Sequence, residues 1–259
     1  MIMEDAQSRG ILSSARNYIR CWLMPGFDLF AHRRGRLCRY WLSGYRKVLD
    51  AGSGNGWFSY LAYRSGATVI AVNIAEDQVG KAAWFYNRWL RIPADRLKFI
   101  KMNLYNLDSL EPGFDEIICY ETLEHIRDDI KICKAFWSLL KPGGYLHLCC
   151  PYAQHPRWFS EALDIEERGY HVRGGYTLES YRSLLKPIGF QILTVEGMGG
   201  PILTKIYLSL EALRNRFGTV ACLPFVFLAI PFVWLDPRQM SMPYSLYVKA
   251  VKPLDLKIV

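Results

Sequence analysis

Apolar and polar positions along this chain alternate in a regular way after residue 46, short apolar runs giving way to longer amphipathic stretches. Lys47–Asp50 reads as a strand, followed by a glycine-rich turn and a helix from about Gly56 to Arg64. Thr68–Val72 is a second strand and Glu76–Leu90 a second helix; Leu97–Lys101 and Phe114–Cys119 are the third and fourth strands. A helix from about Asp128 to Leu140 meets Lys141-Pro142-Gly143-Gly144, a strong stop signal, before a fifth strand over Tyr145–Cys150. Thr177–Lys186 reads as a helix, Phe190–Val195 as a sixth strand and Tyr244–Val251 as a seventh. Strands separated by helices imply βαβ units and a mainly parallel sheet covered on both faces. The pattern predicts one doubly wound, seven-stranded α/β domain over 46–259, preceded by a helical extension over 1–45.

One stretch breaks the alternation. Residues 201–235 form a hydrophobic insert, and Phe217 to Leu235 carry no charge, a length within the range of a membrane-spanning helix. Pro224 and Pro231 interrupt the run. The sixth strand precedes it and the seventh follows, so a single crossing would leave two strands of one sheet on opposite sides of a bilayer. The segment therefore enters and leaves from one side. Two readings stay open: a lid over a pocket for an apolar substrate, or a monotopic membrane contact through Phe225, Phe227, Phe232 and Trp234.

Charge sharpens the second reading. The 259 residues carry a formal net charge of +8. Residues 1–47 hold Arg9, Arg16, Arg20, Arg33, Arg34, Arg36, Arg39, Arg46 and Lys47 against Glu4, Asp5 and Asp28, a balance of +6. Such a basic leader, mixed with Trp22, Leu23, Phe27, Leu29, Phe30, Tyr40 and Trp41, suits nucleic acid or an anionic membrane surface; equally, it suits a solvated helical face packed on the domain through its aromatics. Hydrophobic residues at 51% and charged residues at 22% exclude a disordered chain. Seven cysteines form no C-x-x-C pair, and the first 30 residues lack the long apolar stretch of a secretory signal. The expected location is cytoplasmic, peripheral at the inner face of a membrane.

The chemistry begins at Val48-Leu49-Asp50-Ala51-Gly52-Ser53-Gly54-Asn55-Gly56. Glycines after a strand let the backbone turn sharply and approach a ligand that a Cβ would exclude. A dinucleotide site wants a small residue at the position where this chain has Trp57, which argues against hydride transfer. The pattern instead resembles the first motif of class I S-adenosylmethionine-dependent methyltransferases. Phe114-Asp115, Glu121-Thr122-Leu123-Glu124-His125 and Leu140-Lys141-Pro142-Gly143-Gly144 follow in the order that family has them. The resemblance runs from residue 46 to about 252 and implies a Rossmann-like methyltransferase fold that binds S-adenosyl-L-methionine. It places Gly52, Ser53, Gly54 and Gly56 around the methionine moiety, with Asp50 fixing the amino group. Asn73 and Ile74 would face the ribose, and Asn103, Leu104 and Tyr120 would complete the site. Asn73 and Asn103 stand where the family usually has acids; an amide oxygen still accepts a hydrogen bond, but without charge.

Glu121, Glu124 and His125 are spaced i, i+3 and i+4, so a helix beginning there would present all three on one face. The E-x-x-E-H pattern resembles that of ubiquinone-pathway O-methyltransferases and small-RNA 2′-O-methyltransferases. That resemblance implies a divalent ion such as magnesium on Glu121, Glu124, His125 and a later histidine, nearest matched by His171, with His155 a weaker candidate. A Lewis acid would lower the pKa of an acceptor hydroxyl and orient it. Equally, acids at a helix start are favourable through the dipole without any metal, and His125 or His171 would then serve as general base. His32 and His147 read as structural.

The leading expectation is O-methylation of a hydrophobic or membrane-presented acceptor: a quinone precursor, a glycolipid or a lipid-linked sugar. RNA methylation is the rival, although no RNA-binding module is visible and the apolar insert suits no nucleic acid, so a nucleic-acid partner is not expected. A noncatalytic cofactor-binding protein at a membrane is a third reading.

Overall fold

A computed structural model describes residues 28–156, 163, 167, 169–235 and 241–254; the leader positions before 28 lie outside the described residues. The strands are β1 (Lys47–Ala51), β2 (Thr68–Asn73), β3 (Leu97–Lys101), β4 (Phe114–Tyr120), β5 (Leu140–Pro151), β6 (Gln191–Met198) and β7 (Ser245–Val251). They form one sheet in the order β3-β2-β1-β4-β5-β7-β6, parallel except for β7, which runs antiparallel between β5 and β6. The expected seven-stranded, mainly parallel sheet is therefore what the chain forms. Strand order reverses between β1 and β4, and such a switch point opens a crevice at the carboxyl ends of the strands.

Helices cover both faces. On one face α2 (Trp57–Arg64) and α3 (Glu76–Ala83) pack with Val48, Val69 and Tyr247 of the sheet. On the other, α4 (Asp129–Leu139) and α5 (Leu178–Leu185) set Ile132, Phe136, Tyr181 and Leu185 against Leu49, Ile117 and Leu148. Apolar side chains on both sides explain why the central strands read as continuous apolar runs.

Three differences from the sequence reading have local causes. The second helix does not stay α-helical to Leu90; it widens into a π-helical turn over Trp84–Trp89. The fifth strand starts at Leu140 rather than Tyr145, absorbing the Lys-Pro-Gly-Gly stop: Leu140 pairs with Phe114 and the register shifts before Glu116. Gly144 permits this, because a Cβ there would sit 2.9 Å from the Lys141 carbonyl oxygen. The sixth strand runs on to Met198, paired with Ser245.

The insert is a helical hairpin. α6 (Pro201–Phe217) ends at Gly218, whose φ of +83° suits glycine, and α7 (Thr219–Ala229) runs into a 3-10 turn over Ile230–Trp234. Since Met198 and Ser245 are paired neighbours, the hairpin leaves the sheet and returns at one edge. Among the described residues no helix is long and apolar enough to cross a membrane.

Ahead of the sheet lies α1 (Leu29–Arg34), and every one of its residues is buried. Leu29 and Phe30 pack on Leu203, Val226, Ile230 and Val233 of the hairpin, and Arg33 donates to the Val233 carbonyl oxygen at 3.2 Å. Part of the basic stretch is thus interior: Arg33 is 0% and Arg34 7% exposed, and Arg46, at 3%, is ion-paired to buried Glu116, whereas Arg39 is exposed and pairs with Glu196. Glu116 also accepts from His147, whose Nδ1 lies 2.8 Å from the Tyr247 hydroxyl, so His147 belongs to the packing beneath the sheet.

Candidate functional site

The glycine turn is held from both ends. Gly52 and Ser53 each donate a backbone N–H to the Val72 carbonyl oxygen at 2.9 Å, and Asn55 Oδ1 accepts from the Trp57 N–H at 3.0 Å where α2 begins. The glycines at 52, 54 and 56 all have positive φ, but they answer to different neighbours. A Cβ on Gly52 would meet the Thr122 side chain at 2.2 Å, and one on Gly56 would meet the Tyr86 and Phe99 rings at 2.7 and 2.8 Å. A Cβ on Gly54 would meet nothing within 4 Å, because it would point into a cavity.

That cavity has a volume of about 550 Å³. Its floor is the glycine turn with Trp57 and Phe58; Tyr120 and Glu121 wall it at the end of β4, and Gln78, Ala82 and Phe85 close one side. The remaining wall is α1, through Ala31 and Arg34, with Asp28 just ahead. Trp41 donates its indole N–H to the Tyr120 hydroxyl at 3.2 Å, and Phe58 packs edge-on against Tyr120, so this aromatic wall is set in place.

Arg34 was not singled out by the sequence. Its guanidinium lies 3.3 Å from Asp28 and 3.5 Å from Glu121. Burial works against its charge, but the two carboxylates outweigh that and hold it more firmly protonated than usual. One buried cation between two acids offers a partner for a carboxylate and partners for an ammonium, the two charges of an amino-acid ligand. Nothing adjacent in the chain could have revealed this, since α1 reaches the cavity only through its tertiary packing on the hairpin.

The other expected cofactor residues stand around this cavity rather than in its wall. Asp50, 2% exposed, accepts a hydrogen bond from Ser59 of α2 and ties strand to helix beneath the turn. Burial pushes its carboxyl up to about 6, with Ser59 pulling the other way. Asn73 accepts from the Ala75 N–H at 3.0 Å and donates to Gln78 at 2.9 Å, touching the cavity lining only through that glutamine. Ile74 is exposed, Asn103 caps the turn after β3 by accepting from the Tyr105 N–H, and Leu104 is in the core.

Beyond Tyr120 the chain departs from the expected helix. Glu121 has a φ of +48°, and only Leu123–His125 form a single 3-10 turn. Glu121, Glu124 and His125 therefore do not share a helix face. Glu121 turns toward the cavity, accepting from the Ser245 hydroxyl at 2.9 Å beside Arg34. Glu124 is fully buried, with His125 Nε2 at 3.9 Å. Among the described residues the group with metal-ligand geometry is Glu124, His125 and His171, whose ligand atoms lie within 4.8 Å of one another; Glu121 is outside it.

His171 reaches this place because its loop is clamped. Val172 donates to the Glu124 carbonyl oxygen at 2.8 Å. Arg173 pairs with Asp129 and donates to the carbonyl oxygens of Ile126 and Arg127 at 2.7 and 2.8 Å. The Tyr176 hydroxyl donates to Asp129 at 2.7 Å, and the His125 and His171 rings meet at 4.7 Å. His155, the weaker candidate, packs against Tyr244 instead.

Both acids are held up in pKa. Burial raises Glu124 well above the ordinary carboxylate range and the Glu121 charge adds to it; burial likewise raises Glu121, against the pull of Arg34. Neither Glu124 oxygen has a hydrogen-bond partner of ordinary geometry, the Cys150 thiol being a weak donor alongside, and His125 Nδ1 is similarly buried without one. A buried carboxylate with orphaned oxygens beside two imidazoles fits a divalent cation, which would supply the missing counter-charge. It also fits a proton acceptor.

The family model described as "Methyltransferase domain" matches residues 23–195. The ubiquinone biosynthesis O-methyltransferase of Xanthomonas campestris pv. campestris (strain B100) is 38% identical over 103 residues, covering 39% of this chain and 41% of that protein. The chain thus spans less than half the length of this relative. The protein of the same name from Chromobacterium violaceum is 27% identical over 170 residues, covering 62% of this chain and 72% of its own length. Among solved structures, Haemonchus contortus phosphoethanolamine N-methyltransferase 2 in complex with S-adenosyl-L-methionine superposes with a TM-score of 0.60 at 20% identity, over 84% of this chain and 51% of that one. An S-adenosylmethionine-dependent methyltransferase from Mesorhizobium loti gives a TM-score of 0.54 at 20% identity, over 85% and 97%. At these identities the superpositions speak to the fold.

Proposed function

This chain belongs to the class I S-adenosylmethionine-dependent methyltransferases, and on that footing we propose that it methylates a hydroxyl oxygen of a hydrophobic acceptor. The observation carrying this reading is the convergence of Glu124, His125 and His171 within 4.8 Å, one turn beyond the cavity wall at Glu121. A hydroxyl needs a proton acceptor before it attacks a methyl group, and three such groups stand together there. The ubiquinone biosynthesis relatives support oxygen as the acceptor atom, and the Trp57, Phe58, Phe85 and Tyr120 side chains of the cavity support an apolar acceptor.

S-adenosylmethionine, when bound, supplies an electrophilic methyl on a sulfonium sulfur. Arg34 would receive its carboxylate, Glu121 and Asp28 would offset its positive charges, and the open side of Gly54 would give its chain room against the backbone. His125 or His171 would take the hydroxyl proton, with the Glu124 carboxyl 3.9 Å from His125 Nε2. A divalent ion such as magnesium on Glu124, His125 and His171 would act there as a Lewis acid toward the acceptor oxygen.

The test is turnover with labelled cofactor on hydroxylated apolar acceptors. Glu124→Gln and His171→Ala should abolish methyl transfer while cofactor binding by calorimetry stays nearly intact. Loss of cofactor binding in both variants would give these residues a structural role and overturn the reading. A chelator that leaves turnover unchanged would retire the metal and keep the histidine base.

A further inference from the structure

α7 is a surface helix with no polar side. Cys222, Val226, Ala229, Ile230 and Val233 form the buried stripe that packs on α1 and α6. Outside that stripe stand Leu223, Phe225, Phe227, Leu228, Phe232 and Leu235, between 37% and 67% exposed. Helices apolar all round are normally interior, and a contiguous apolar surface of this kind marks a docking site.

The chemistry of the surface selects its partner. Protein interfaces spread about one hydrogen bond over every 100–200 Å² and carry a polar rim. From Val220 to Leu235 the sequence contains no charged, hydroxyl or amide side chain. Charge enters only at the border, where the last turn of α6 carries Arg214 and Arg216 beside exposed Phe217, with Arg216 lying over the Phe217 ring. Arg214 has Glu211 at 3.9 Å; the segment 201–216 holds three basic residues against this one acid. An apolar face bordered by arginines complements a lipid interface with anionic headgroups. Among the described residues no helix is long and apolar enough to cross a bilayer, so the contact proposed is with one leaflet.

We propose that the α6–α7 hairpin is a monotopic docking surface for an anionic lipid bilayer. The face that the hairpin turns inward packs on Leu29 and Phe30 of α1, and the same short helix presents Ala31 and Arg34 to the cavity. The hairpin and this short helix thus stand between the bilayer and the cavity, which would hold the cavity close to the membrane that carries an apolar acceptor. That acceptor rests on the methyl-transfer reading; the docking itself does not.

The test is flotation of the full chain with vesicles of phosphatidylglycerol and of phosphatidylcholine, alongside calorimetric cofactor binding. The intact chain should float with phosphatidylglycerol, and binding should weaken roughly fivefold for each of Arg214→Gln and Arg216→Gln, since one basic residue near an anionic surface contributes about that much. Phe225→Glu with Leu228→Glu should reduce flotation at least about tenfold, because the apolar contact is lost. These side chains are exposed, so cofactor affinity should be unchanged in the same preparations. A chain that binds no vesicle at low salt overturns the proposal. So does an intact chain that dimerises through this face and is made monomeric by Phe225→Glu without vesicle binding. Cofactor binding lost in the wild type would sink the methyl-transfer reading alone.

Discussion

The guanidinium of Arg34 stands 3.5 Å from the carboxylate of Glu121, joining a helix ahead of the sheet to the turn that follows its fourth strand. Both side chains line one cavity, so its charged wall is assembled from residues 87 positions apart in the chain, and the proposed function gives that wall the cofactor's amino-acid end. Hydrogen bonds to charged groups contribute about 1.5–3 kcal/mol, so Arg34→Gln should weaken S-adenosylmethionine binding roughly ten- to hundredfold. Arg34→Lys keeps the charge but loses the fork and should fall between. Isothermal calorimetry on the three proteins checks the order, and equal affinities would remove Arg34 from the site.

Asp50 makes a pH prediction. Its folded pKa, about 6, lies above the ordinary 3.8, so the folded state holds the proton more tightly than the unfolded state. The resulting stabilisation is fully present below about pH 4 and is lost as pH rises through about 6, a difference approaching 3 kcal/mol. Asp50→Asn, which cannot ionise but can still accept from Ser59, should lack this component. Denaturant melts of wild type and variant between pH 4 and 7 should diverge in that sense, the variant becoming relatively more stable as pH rises. Parallel curves would show that folding leaves the proton affinity of Asp50 unchanged.

Much of this fold could be read locally. Strands β1 to β4 and the glycine turn follow from a few neighbouring residues each, because a parallel sheet buried on both faces leaves uninterrupted apolar runs between turns. The site was less legible. Spacing placed Glu121, Glu124 and His125 on one helix, but the chain takes a φ of +48° at Glu121 and only Leu123–His125 form a single 3-10 turn, which leaves Glu121 out of the Glu124–His125–His171 group. Local spacing assumes a regular backbone, and here Ser245 and Arg34 hold Glu121 from distant strands and helices. The arginines of the leader looked like surface charge for the same reason: only tertiary packing reveals that Arg33 and Arg34 are interior.

Arg173 is a positioning residue. It touches neither cavity nor cofactor, but its bonds to Asp129, Ile126 and Arg127 hold the loop that carries His171 beside His125. Arg173→Ala should lower kcat at least about tenfold, since a base displaced by an ångström loses its proton path. Cofactor affinity should be unchanged, and Arg173→Lys should recover part of kcat. A fall in cofactor affinity equal to the fall in kcat would reduce Arg173 to general scaffolding.

The glycine turn separates packing from binding at two positions only two residues apart. Gly52 and Gly54 both have positive φ, so alanine at either costs about 1–2 kcal/mol of backbone strain. At Gly52 the new methyl would also fall 2.2 Å from Thr122 Oγ1, a contact that must be relieved by moving the turn after β4. Gly52→Ala should therefore melt well below wild type. At Gly54 the methyl meets nothing within 4 Å, and the space it enters is the cavity itself. Gly54→Ala should lose little more than the backbone strain in melting temperature, yet bind S-adenosylmethionine at least about tenfold more weakly, because the ligand's chain can no longer lie against the backbone. Thermal melts with and without cofactor read both quantities from one sample. Gly54→Ala binding at wild-type affinity would move the methionine moiety away from this turn and require another wall of the cavity to receive it.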